Sequence, residues 1–100
     1  MPLFVVTNLH GPAWDRSRGL REQEAWDDHA AFMDGLVDDG FVVLGGPLGA
    51  DHALLVVVAE SEAEVRERLA QDPWVPMNLL GVESVESWEI LLGELPARQS

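Results

Sequence analysis

At one hundred residues, 47% of them hydrophobic, the chain has enough apolar material for one modest core and too little for two domains. Its formal charge of −12, with six arginines and no lysine, creates a negative field that repels phosphate backbones and anionic lipids, which argues against nucleic acid or membrane as a partner. Cysteine is absent, so disulfides, thiolate nucleophiles and sulfur-ligated metals are excluded.

The opening run Leu3-Phe4-Val5-Val6-Thr7-Asn8 is β-branched and aromatic and closes on the turn-forming His10-Gly11-Pro12, as a strand should. Its start carries no basic leader and is too short for a membrane segment, so the expectation is a cytoplasmic protein. Trp14 to Arg21 reads as a polar loop. From Glu22 the period changes: Trp26, His29, Ala30, Met33, Leu36 and Val37 recur at helical spacing, with Asp27, Asp28, Asp34 and Asp38 between them. This predicts an amphipathic helix stopped by Gly40. Phe41-Val42-Val43-Leu44 reads as a second strand interrupted by Gly45-Gly46-Pro47, and Ala53 to Ala59 as a third, joined to it by a hairpin through Gly49 and Asp51. Ser61 followed by Glu64 is a capping-box pattern that opens a second helix through Val65, Leu69 and Ala70. Asp72-Pro73 ends it and caps a further helical turn, and Val82 to Leu92 supplies the last strand.

The order βαββαβ predicts an α+β, ferredoxin-like domain over residues 1–93, with an antiparallel sheet, both helices on one face and a tail at 94–100. Two helices cover one face of a sheet, yet Leu54, Leu55, Val56, Val57 and Val58 are apolar on both. A second copy packed sheet against sheet is the simplest cover, which predicts a homodimer.

Four features offer chemistry. His29 lies on or beside the apolar stripe of the first helix, where an imidazole serves either as general acid or base or as a core-edge side chain bonded to a carbonyl. Asp72 has a plain role as a helix N-cap, and a functional one if the fold brings it to His29 to hold one ring nitrogen. Gly46 and Pro47 end a strand and let a ligand approach the backbone closely, and Phe32 and Trp74 offer aromatic wall for a cavity or bulk for the core. Arg16, Arg18 and Arg21 either guide an anionic substrate or offset Asp15, Glu22 and Glu24. His10, His29 and His52 lack the spacing of a metal site, and no nucleotide-binding loop is present, so neither metal nor cofactor is assigned.

Four words resemble the YCII-related family: Trp26-Asp27-Asp28-His29-Ala30-Ala31-Phe32-Met33, Gly40-Phe41-Val42-Val43-Leu44-Gly45-Gly46-Pro47-Leu48, Ala59-Glu60-Ser61 and Ala70-Gln71-Asp72-Pro73-Trp74. They occur in the family's order and cover nearly the whole chain. The resemblance implies a dimeric α/β barrel, a small-molecule ligand and an active-site pair formed by His29 and Asp72. One branch of the family removes HCl from a chlorinated hydroxyhydroquinone. The implied function is therefore a cofactor-free lyase or isomerase acting on a small hydroxylated aromatic substrate, the alternative being a non-catalytic module that binds a small molecule or modulates a partner. Trp26 stands where relatives carry Arg, and the loop before the first helix is longer, which puts substrate charge and pocket shape apart from that branch.

Overall fold

In the computed structural model, which describes residues 2–95, strand β1 (Leu3–His10) alternates as its sequence requires. Phe4, Val6 and Asn8 are buried on one side, while Leu3, Val5, Thr7 and Leu9 point to the other. β1 is central: it pairs antiparallel with β3 (His52–Val58) and with β4 (Leu80–Trp88), and β2 (Val42–Leu48) joins the far side of β3. The sheet order β2-β3-β1-β4 is that of a ferredoxin-like α+β fold.

Helix α1 (Trp26–Asp38) starts later than its periodicity suggests, because Ala25 takes a left-handed backbone (φ 59°) and Leu20–Glu22 form a separate 3-10 turn. Its end follows the glycine signal. Gly40 is left-handed (φ 80°), its N–H bonds the Val37 carbonyl and that of Phe41 bonds Leu36, which satisfies the last carbonyls of the helix. Helix α2 (Glu62–Leu69) is capped by Ser61, whose hydroxyl accepts the Glu64 N–H, while the Glu64 carboxylate reaches back to the Glu60 N–H.

Three expectations need correction. β2 runs through Gly45-Gly46-Pro47 to Leu48, because it is an edge strand and a proline there removes no ladder bond the sheet needs. Asp72 opens a chain of turns, with Val75 N–H bonded to Asp72 and Asn78 N–H to Val75, in place of a further helical turn. β4 spans Leu80–Trp88 and ends before Leu92, its last residue Trp88 pairing with Leu3, the first residue of β1. Most of the tail expected at 94–100 lies outside the described residues.

The main core sits between helices and sheet, around Phe4, Val6, Leu36, Phe41, Val57 and Val65. A second cluster of Trp74, Leu79 and Leu80, with Trp14, Leu20 and Trp26 against it, forms where the loop after β1 meets the turns after α2. The opposite sheet face is apolar and open, with Leu9, Leu44, Leu48 and Trp88 all exposed.

Candidate functional site

His29 on the first turn of α1 and Asp72 in the turn after α2 meet beside the second cluster. Nδ1 of His29 lies 2.8 Å from Oδ2 of Asp72, and both residues are buried. The other oxygen, Oδ1, accepts the backbone N–H of Trp74 at 2.9 Å, so the local turn fixes the carboxylate. With Asp72 as a carboxylate, which can only accept, the shared hydrogen sits on Nδ1, and in the neutral ring the lone pair is on Nε2. Nε2 has no partner among the described residues and is not sealed from solvent.

Trp74 holds the imidazole from the side. Its ring stacks on His29 at 3.8 Å and 6°, and its indole N–H donates to the Glu24 carbonyl at 2.7 Å. That carbonyl is presented by the reversal at Ala25, a left-handed conformation that costs a non-glycine residue about 1 to 2 kcal/mol. Trp14 meets Trp74 edge-on at 5.5 Å, and Trp26 lies tilted 5.7 Å from His29.

These side chains form one wall of a cavity of about 520 Å³, within the range that holds small organic molecules. α1 contributes His29, Met33 and Val37, one stripe at four-residue spacing, and the sheet contributes Asn8, Ala53 and Leu55. Phe32, expected at the pocket, packs against the main core without lining the cavity, whereas Met33 packs against that core and lines the cavity as well. Gly46 and Pro47 line the cavity as well, as does Trp74. The close approach, however, is at Gly45, where a Cβ would fall 2.5 Å from the Leu55 side chain, while one at Gly46 would meet nothing.

The loop between β1 and α1 forms the mouth. Gln23, buried and absent from the sequence reading, organises it: its amide nitrogen donates to the carbonyls of Asp15, Arg18 and Gly19, and its oxygen accepts the Asp15 N–H. Arg16 pairs with Asp51 of the β2–β3 hairpin at 2.8 Å and Arg18 approaches Asp15 at 3.5 Å, so both cavity-lining guanidiniums have acidic neighbours. Hydrogen bonds from Ser17 hold the Asp15 carboxyl below its usual range. His10 stacks on Trp14 at 3.5 Å, and burial pushes its imidazole below the usual histidine range against the opposing pull of Asp51. Among the described residues no three His, Cys, Asp or Glu side chains gather as metal ligands, and no helix is long and apolar enough to cross a membrane.

Sequence reasoning passed over Asn8, Trp14, Met33 and Gln23. Only Asn8 carried a signal: it is the polar member of the inward set Phe4, Val6, Asn8.

The fold is similar to that of 5-chloro-2-hydroxyhydroquinone dehydrochlorinase from Burkholderia phenoliruptrix AC1100, solved in complex with 2,5-dihydroxybenzoquinone. The likeness has a TM-score of 0.60 at 23% identity and covers 87% of this chain and 93% of that one. With the sheet order it places the chain in the ferredoxin-like α+β class of folds. The sequence matches no family profile and no curated protein.

Proposed function

We propose that this chain is a cofactor-free small-molecule enzyme of the lyase or isomerase type, related to the YCII proteins over residues 1–93 and working in the cytoplasm. His29 is the general base or acid and Asp72 orients it. The observation that carries this reading is the buried 2.8 Å contact between Nδ1 and the carboxylate at the wall of a 520 Å³ cavity. It leaves Nε2 toward space that a planar ring can enter. Nε2 takes a proton from a ring hydroxyl or an adjacent C–H, and in an elimination the leaving group departs with its bonding electron pair. Trp74 supports the imidazole, and Gly46 and Pro47 bound the substrate from the β2 side. The similar dehydrochlorinase supplies the substrate class: a hydroxylated, halogenated ring.

The active form is a homodimer, because Leu44, Leu48 and Trp88 lie on a sheet face that no helix of the same chain covers. Light scattering at micromolar concentration is expected to give twice the chain mass, and a stable monomer would remove this part of the reading.

The test of function is chloride release from 5-chloro-2-hydroxyhydroquinone. The wild type is expected to release it, and His29→Gln to slow release by about 10² to 10⁴. Full turnover by His29→Gln would overturn the mechanism. Saturable binding of 2,5-dihydroxybenzoquinone with no release from the chlorinated ring would leave the chain a binding module.

A further inference from the structure

Asn8 is a buried polar residue whose side chain has no role within the fold. It is only 6% exposed, yet its carboxamide makes no hydrogen bond with any described residue. It lines the same cavity as His29, and its amide atoms are not sealed away, so they open onto that space. Its neighbours offer nothing: it pairs with Ala53 on β3 and Val82 on β4, and Leu55 and Leu80 lie nearby on the cavity wall. The sheet is also irregular here. The pairing of β1 with β4 shifts register between Thr7 and Asn8, where β4 carries the extra residue Glu83.

We infer that Asn8 is a ligand-binding residue that holds an oxygen substituent of the substrate, a ring hydroxyl or carbonyl, at the sheet side of the cavity. The inference rests on the reading of this cavity as a small-molecule site and adds to it which chemical feature the ligand must carry. A carboxamide both donates and accepts, so it takes a hydroxyl, a quinone carbonyl or the phenolate formed when a ring hydroxyl loses its proton. Ala53, Leu55 and Leu80 give the sheet wall apolar surface suited to ring carbon, with His10 as its other polar member. Arg16 and Arg18 already face Asp51 and Asp15, and the His10 ring lies stacked on Trp14, so the Asn8 carboxamide is the neutral donor and acceptor that the sheet wall offers to an oxygen. A site that hydrogen-bonds a hydroxyl rejects the analogue lacking it.

The experiment compares hydroquinone with p-xylene, rings of nearly the same shape with and without oxygen, by calorimetry on wild type, Asn8→Leu and His29→Gln. The ratio of the hydroquinone to the p-xylene dissociation constant is expected to rise by about threefold to tenfold in Asn8→Leu. An unchanged ratio or a wild type that binds neither ring would each overturn the inference. His29→Gln is expected to retain the Asn8-dependent preference. Failure of the proton-transfer reading, seen as unimpaired chloride release by His29→Gln, is therefore distinguishable from failure of the oxygen contact, seen only in the Asn8→Leu ratio.

Discussion

Replacing Asp72 with asparagine should leave the protein folded and change which nitrogen of His29 carries hydrogen. The carboxylate makes two contacts, Oδ1 with the Trp74 N–H at 2.9 Å and Oδ2 with His29 Nδ1 at 2.8 Å. An asparagine can keep only one acceptor. Turned so that its oxygen faces Trp74, it presents NH₂ to Nδ1, which must then accept, and the hydrogen moves to Nε2. The reverse orientation would set NH₂ against the buried Trp74 N–H and is disfavoured. The stability change is the exchange of a charge-assisted hydrogen bond for a neutral one, about 1 kcal/mol. Asp72→Ala strands the Trp74 N–H and loses the His29 bond as well, about 3 to 4 kcal/mol. Long-range ¹H–¹⁵N spectra of the histidine rings read the tautomer directly. Wild type should show hydrogen on Nδ1 and Asp72→Asn on Nε2, with turnover lowered by about 10² to 10⁴ because the nitrogen toward the cavity has become a donor. The same tautomer in both proteins would refute the reasoning, whatever the activity.

Trp74→Phe keeps a ring against His29 but deletes the indole N–H, leaving the Glu24 carbonyl without its 2.7 Å donor; urea denaturation should show a loss of about 1 to 3 kcal/mol. Gly11→Ala would place a Cβ 2.2 Å from the Asn78 carbonyl oxygen, an atom of the backbone that cannot turn aside. Calorimetry should register about 3 kcal/mol of destabilisation as the Gly11 to Leu79 hydrogen bond opens, and wild-type stability would contradict that geometry. His10, with Asp51, Arg16 and His52 around it, is held below the ordinary histidine value of about 6.5 by burial. The unfolded chain therefore takes up a proton first as pH falls, so His10 lowers stability progressively from about pH 7 downward, down to its folded value. Denaturant titrations at pH 7.5, 6 and 5 should show a smaller acid loss for His10→Gln than for wild type.

What could be read from the sequence was periodic and local. The alternation in β1, the helical stripe from Trp26 to Val37, the Ser61 cap and the Gly40 stop are short-range preferences that tertiary structure had no reason to overrule. What was missed belongs to the assembled fold. Pro47 tolerates a strand only because β2 is an edge, which no local window reveals. Alanine gives no sign of a left-handed turn at position 25, so the start of α1 was placed too early. Phe32 and Met33 are neighbours on one helix and both pack against the main core, and which of them also reaches the cavity depends on how α1 is rotated against the sheet. His29 and Asp72 lie 43 positions apart; family resemblance suggested their meeting, and their spacing did not.

The locally unfavourable features are gathered on one side of the molecule. The unpartnered amide of Asn8, the left-handed Ala25, the neutral-biased His10 and the buried carboxylate of Asp72 all lie in or against the cavity or its supporting cluster. The main core around Val6, Val57 and Val65 is apolar and closely covered. A random scatter of imperfections would have touched both clusters. Their confinement to the second is what is expected when one half of a small domain supplies stability and the other holds groups ready for something not made by the chain itself. Filling the cavity with apolar side chains should therefore stabilise this protein, whereas equivalent changes in the main core, already packed, should not.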